Sequence, residues 1–318
     1  MRQTEPTQRI DTHQHIVPPA YAAWLAARGL NAGGRAIPHW SVDGALELMH
    51  GAGIASAILS LSTPGVHLGD DAEARDKARE VNEFAAGVAR SDSARFGYFA
   101  TLTLPDVQGA IDEAAHALDH LGADGVVLLA NVNGTYLGDA AWDPLMAALN
   151  ARKAVVFIHP SSLPTPPVPG IAPFVADFLL DTTRAAIKLA RTGCLERYPD
   201  LKIILSHAGG FVPFAAERMA RACSDSGEDT AQGLARLKRF YFDVALSSSP
   251  YALPSLLTFA DPTHITYGSD WPFAPKERSW HFARLLDEFA LAPAQRHAID
   301  RGNAERLFPR LVGAGTLE

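Results

Sequence analysis

Cysteine is nearly absent from the 318-residue chain, which holds only Cys194 and Cys223 and no CxxC or Cys/His spacing. That excludes a disulfide framework and a zinc ribbon, and it fits a reducing cytoplasm. An excess of basic charge is missing too. With 28 Lys and Arg against 35 Asp and Glu, the formal net charge is −7, so no positive field exists to attract a phosphate backbone and nucleic acid is not an expected partner. No apolar run approaches the roughly 18 residues that a membrane span requires. The opening residues MRQTEPTQRI lack the apolar segment of a signal peptide. Repeats, charge runs and low-complexity tracts are also lacking, so a single domain over residues 1–318 is expected.

What is present is an ordinary globular composition, 47% hydrophobic and 20% charged, on a chain long enough to bury a large core. Eight short apolar or β-branched runs recur between longer amphipathic stretches: Arg9–His15, Ser56–Ser62, Phe96–Leu104, Gly125–Asn131, Ala154–His159, Leu201–His207, Phe240–Leu246 and His264–Asp270. Several are apolar nearly throughout and end in polar residues, as strands buried on both faces do. Helix candidates between them include Ser41–Gly51, Asp71–Arg90, Pro105–Leu121, Asp143–Lys153 and Phe174–Tyr198, with Ser41 and Asp143 as N-caps and Pro144 at the first helical position. This alternation predicts an α/β fold, a single (β/α)8 TIM barrel, with a doubly wound open sheet as the alternative. A barrel places its chemistry at the C-terminal ends of the strands.

Those ends carry metal-ligand side chains. The first run closes on Asp11-Thr12-His13-Gln14-His15, and strand alternation puts His13 and His15 on one face as a ready pair of nitrogen donors. An HxH alone is a weak signal, because histidine also serves as an ordinary polar core residue. Its weight comes from position: His159, His207 and Asp270 finish the fifth, sixth and eighth runs. The other eight histidines, such as His116 and His297, fall in helices, loops or a strand start and carry no role. Converging imidazoles and a carboxylate with an open coordination position suit one Zn²⁺ or Mn²⁺. The segment Pro160–Pro173 holds six prolines and predicts a stiff loop that walls or covers the pocket mouth.

The ordered set IDTHQH, VVFIHP, ILSHAGG and YGSDWPF, with the terminal Gly302-Asn303-Ala304-Glu305-Arg306-Leu307-Phe308, resembles the amidohydrolase superfamily from about residue 9 to 308. Within it, the motifs are similar to the branch containing aminocarboxymuconate semialdehyde decarboxylase and γ-resorcylate decarboxylase. The stretch GVVLLANVNGTYLGD through FIHP is similar to 6-methylsalicylate decarboxylase sequences. The resemblance implies metal ligation by His13, His15, His159 and Asp270, with His207 assisting proton transfer or holding a water. It also implies a homodimer in which Arg218, eleven residues after His207, grips a substrate carboxylate in the neighbouring subunit, and a second substrate arginine at Arg35. Three departures stand out. Asn131 and Asn133 lie where many hydrolytic members carry a carbamylated lysine, Ser161 follows His-Pro where the semialdehyde decarboxylase has tryptophan, and His13 stands where the γ-resorcylate enzyme has glutamate. The missing lysine argues for a mononuclear site. The implied reaction is metal-dependent, non-oxidative decarboxylation of a small carboxylated aromatic such as an ortho-hydroxybenzoate, with Asp270 or His207 protonating the carbon that loses CO₂. Hydrolysis or hydration of a lactone or unsaturated dicarboxylate is the alternative, with His207 as base to a metal-bound water.

Overall fold

A computed structural model describes residues 8–314. Eight parallel strands, β1 (Arg9–His15), β2 (Ile54–Ser60), β3 (Phe96–Thr101), β4 (Gly125–Leu129), β5 (Val155–His159), β6 (Lys202–Leu205), β7 (Tyr241–Asp243) and β8 (Ile265–Thr266), pair in sequence order. The sheet closes on itself where Asp11 bridges to Tyr267 and the Thr12 N–H donates to the Tyr267 carbonyl at 2.9 Å. This closure makes a barrel and rules out the open doubly wound sheet.

Alternation along the strands divides the core into two parts. Ile10, Ile58, Phe99, Val127, Val155, Phe157 and Ile204 form the barrel interior, and Phe308 and Leu311 plug it from below. A larger cluster, including Leu59, Val126, Val156 and Leu205, packs outward against the helices. The terminal GNAERLF motif is structural: Asn303 Nδ2 donates to the carbonyls of Pro262 and Ile265, both at 2.8 Å, and so ties the last helix to the approach to β8.

Most expected helices form. Ser41 caps Val42–Gly51 by accepting from the Gly44 N–H at 3.1 Å. Asp143 is not a cap but the first residue of the helix Asp143–Ala151, because a turn of 3₁₀ helix over Ala140–Trp142, capped by Asp139, leads directly into it. The long helix expected over Phe174–Tyr198 divides into Pro173–Arg191 and Cys194–Arg197, broken at Gly193. Six strands, all but β1 and β5, end earlier than their apolar runs, whose last residues turn into loops at the barrel mouth. Thus β6 stops at Leu205 and β8 at Thr266, and His207 and Asp270 sit beyond them on sharply turned backbone, at φ of 54° and 60°. Two glycines permit these turns. A Cβ at Gly210 would lie 2.1 Å from the Leu179 carbonyl oxygen, and one at Gly268 would lie 2.8 Å from the Cβ of His13.

Candidate active site

The turned loops aim side chains from four strand ends at one point. Ligating atoms of His13, His159, His207 and Asp270 all lie within 4.8 Å of one another. His15 joins them, its Nε2 standing 3.1 Å from both His13 Nε2 and Asp270 Oδ1. All five residues are buried.

The outward bonds of three imidazoles settle where their protons sit. A carbonyl oxygen can only accept, so His15 Nδ1 donates to the Ser60 carbonyl at 3.1 Å and His159 Nδ1 donates to the Pro160 carbonyl at 2.8 Å. His13 Nδ1 donates to Asp243 Oδ2 at 2.8 Å. With Nδ1 committed outward, each ring turns its Nε2 inward as the nitrogen available to a metal, where the Asp270 carboxylate also points. With those Nε2 atoms unprotonated, three lone pairs and an anion would face one another and call for a positive charge between them, as a cation site provides.

Proton affinities tell the same story. Burial depresses His13, but the Asp243 and Asp270 carboxylates outweigh it and push its pKa up to about 10, so without a metal a proton takes the cation's place. Burial lowers His15, and burial with the neighbouring imidazoles holds His159 well below the ordinary histidine value. For Asp270, burial opposes ionisation, yet bonds from His13, His15 and His207 hold the carboxyl well below the usual range. His207 is different. Its Nε2 is 3.5 Å from Asp270 Oδ2, and its buried Nδ1 has no hydrogen-bond partner.

A cavity of about 710 Å³ opens over the cluster, lined by His159, His207 and Asp270 together with Phe174, Phe178, Phe211 and Phe273. Trp271 is buried outside the cavity, and Phe273 lines it. The loop between His159 and Pro173 contains no helix or strand, as expected of its prolines. It walls a smaller neighbouring cavity of about 440 Å³ through Ser161–Pro164, and only the helix it leads into, with Phe174 and Val175, reaches the larger one.

Of the two arginines, Arg35 is at the site. Its guanidinium lines the cavity, donates to the Phe273 carbonyl at 2.9 Å and lies 4.4 Å over the Phe174 ring. Arg218 is exposed on the helix Val212–Ala220 and does not line the cavity of its own chain. Sequence reasoning missed Arg278, exposed on the cavity rim, and Asp243. Asp243 ends β7 fully buried, and while its Oδ2 holds His13, its Oδ1 accepts from the backbone N–H groups of His207 and Ala245, both at 2.9 Å. A carboxylate in the apolar run FYFDVAL was the available clue.

A family model described as amidohydrolase matches residues 10–310, nearly the whole described chain. The chain belongs to the amidohydrolase family. This amidohydrolase is 37% identical over 95% of its length to the decarboxylase macB of Penicillium terrestre, covering 95% of that protein. It is 35% identical to a 6-methylsalicylic acid decarboxylase of Penicillium expansum, over 96% of this chain and 97% of the other. Among solved structures, an amidohydrolase II superposes with a TM-score of 0.89 at 31% identity, over 94% of this chain and 99% of that one. A dihydroxybenzoic acid decarboxylase from Polaromonas sp. JS666, solved with bound manganese and 2-nitroresorcinol, shares the fold with a TM-score of 0.80 at 23% identity, over 95% and 97% of the two chains.

Proposed function

We propose that this amidohydrolase is a metal-dependent, non-oxidative decarboxylase of small ortho-hydroxybenzoates of the 6-methylsalicylate type, working as one barrel domain. The observation that carries the reading is the inward-facing set of Nε2 atoms and the Asp270 carboxylate beneath an aromatic-lined cavity. The decarboxylase names of relatives matching almost end to end support it.

His13, His15, His159 and Asp270 are the residues that would hold one divalent ion, with Zn²⁺ the best match to three imidazoles and a carboxylate and Mn²⁺ the alternative. When bound, such an ion supplies the charge that fixes a carboxylate and its neighbouring oxygen. Phe178 and Phe273 wall the space for the ring, and Arg35 places a fixed positive charge on its rim. His207 faces the same space outside the proposed set of four ligands, and its Nε2, 3.5 Å from Asp270 Oδ2, is placed to deliver the proton. Proton transfer to the ring carbon bearing the carboxylate forms a C–H bond from ring electrons. Breaking the bond to CO₂ then returns an electron pair to the ring, so no bare aryl anion forms. The hydrolytic alternative gains nothing at the fourth strand, where the Asn131 side chain is consumed by bonds to Ser161, Ser162 and Asp181.

We further infer a cytoplasmic homodimer in which Arg218 of one chain reaches the site of the other. Two buried free cysteines suit the compartment, and Phe214 and Tyr251, 82% and 91% exposed on the cavity rim, suit cover by a second copy. The test is elemental analysis for metal alongside CO₂ release from a panel of hydroxybenzoates, with metal-free protein as control. About one equivalent of metal with metal-dependent CO₂ release is expected, and metal without CO₂ release overturns the reading.

A further inference from the structure

A second buried carboxylate, Asp181 on the helix Pro173–Arg191, lies outside the ligand cluster and has no part in the chemistry above. Its hydrogen-bond partners are neutral. Asn131 Nδ2 donates to Oδ1 at 2.8 Å, and the Ser161 backbone N–H donates to Oδ2 at 2.9 Å. Burial raises the Asp181 pKa, and its hydrogen bonds together with the Arg184 charge oppose the rise. Pinning the loop needs no carboxyl group, since a neutral acceptor would do so with less desolvation.

The Ser161 N–H belongs to the same peptide group as the Pro160 carbonyl, and that carbonyl accepts the proton of His159 Nδ1 at 2.8 Å. One rigid, resonance-stabilised plane thus joins Asp181 to a ring in the ligand cluster. An acceptor at the N–H end fixes the plane and polarises the carbonyl at the other end. We propose that Asp181 is a positioning residue for His159, acting through the Pro160–Ser161 peptide to hold the proton on Nδ1 and the Nε2 lone pair toward the metal position. The inference rests on the reading of His159 as a ligand. It extends to a peptide-relayed carboxylate the rule that partners of a ligating histidine tune metal affinity.

The test uses the full chain loaded with Zn²⁺ and two variants. Asp181→Asn keeps the size of the side chain but pairs one donor with another, and about tenfold weaker metal binding is expected, the low end of the effect of such partners. The hydrogen-bonded His159 Nδ1 proton resonance should move upfield with it, a signature that loop loosening alone does not give. Ser161→Ala removes the hydroxyl and leaves the peptide N–H, so wild-type affinity is expected. Wild-type affinity and an unmoved resonance in Asp181→Asn overturn the proposal, as does an equal loss in Ser161→Ala. Should Asp181→Asn not fold, scalar couplings across the two hydrogen bonds of the unmodified protein decide, and their absence overturns it. A His159→Ala control separates the two levels. If that variant keeps its metal, the ligand reading itself fails; if it loses metal while Asp181→Asn does not, only this inference fails.

Discussion

Replacing Asp243 by asparagine tests the electrostatic logic of the site with little change of shape. Its Oδ1 accepts two backbone N–H groups, so an asparagine there must keep its carbonyl oxygen toward His207 and Ala245 and turn its amide nitrogen toward His13. An amide nitrogen only donates. His13 must then accept at Nδ1 and carry its proton on Nε2, aimed at the point where the metal would sit. Metal affinity should fall by about 10–100-fold, or roughly 1.4–2.7 kcal/mol, as for other partners of ligating histidines. Asp243→Ala is the contrast: it strands three buried donors, each worth roughly 1–3 kcal/mol, and should damage folding as well. Metal titration against a competing chelator, with thermal unfolding of the metal-free proteins, separates the two effects. If Asp243→Asn binds metal as tightly as the wild type, the assignment of the inward lone pairs is wrong.

Three further outcomes are expected. His207→Ala should lower turnover by about 10²–10⁴-fold with metal still bound; loss of metal would move His207 among the ligands. In chelated protein, the raised His13 pKa means that its contribution to stability is complete below the ordinary value of 6.5 and is lost as pH rises through about 10. The urea midpoint should therefore drop across that window, and a flat profile would contradict the charge assignment. Mixing Arg218→Ala chains with Asp270→Ala chains should restore some activity in hybrid dimers, and no recovery would remove Arg218 from the neighbouring site.

Much of the centre was legible because barrel strands are apolar until they reach the mouth, so a histidine or aspartate ending such a run stands out. His13, His15, His159, His207 and Asp270 were found in that way, and the structure brings all five together. Asp243 escaped because one carboxylate inside FYFDVAL has no periodicity or partner visible in one dimension. Its meaning appears only when the barrel closes and sets Asp243 on β7 against His13 of β1 and the His207 backbone after β6. Asp181 was hidden similarly, since its effect passes through a peptide group twenty positions earlier in the chain. The strand limits were overrun where the runs turn into loops at the barrel mouth, as they do at His207 and Asp270.

The barrel's closing bridge, Asp11 to Tyr267, lies beside the cluster that draws on His13 and Asp270. An ion held by the cluster would therefore fasten the first strand to the last. A ribosome must translate Asp270 before a full donor set exists, so capture of the ion belongs to the final stage of maturation. Chelation should correspondingly loosen the barrel along this one seam, with faster amide exchange at the ends of β1 and β8 before the strands opposite respond.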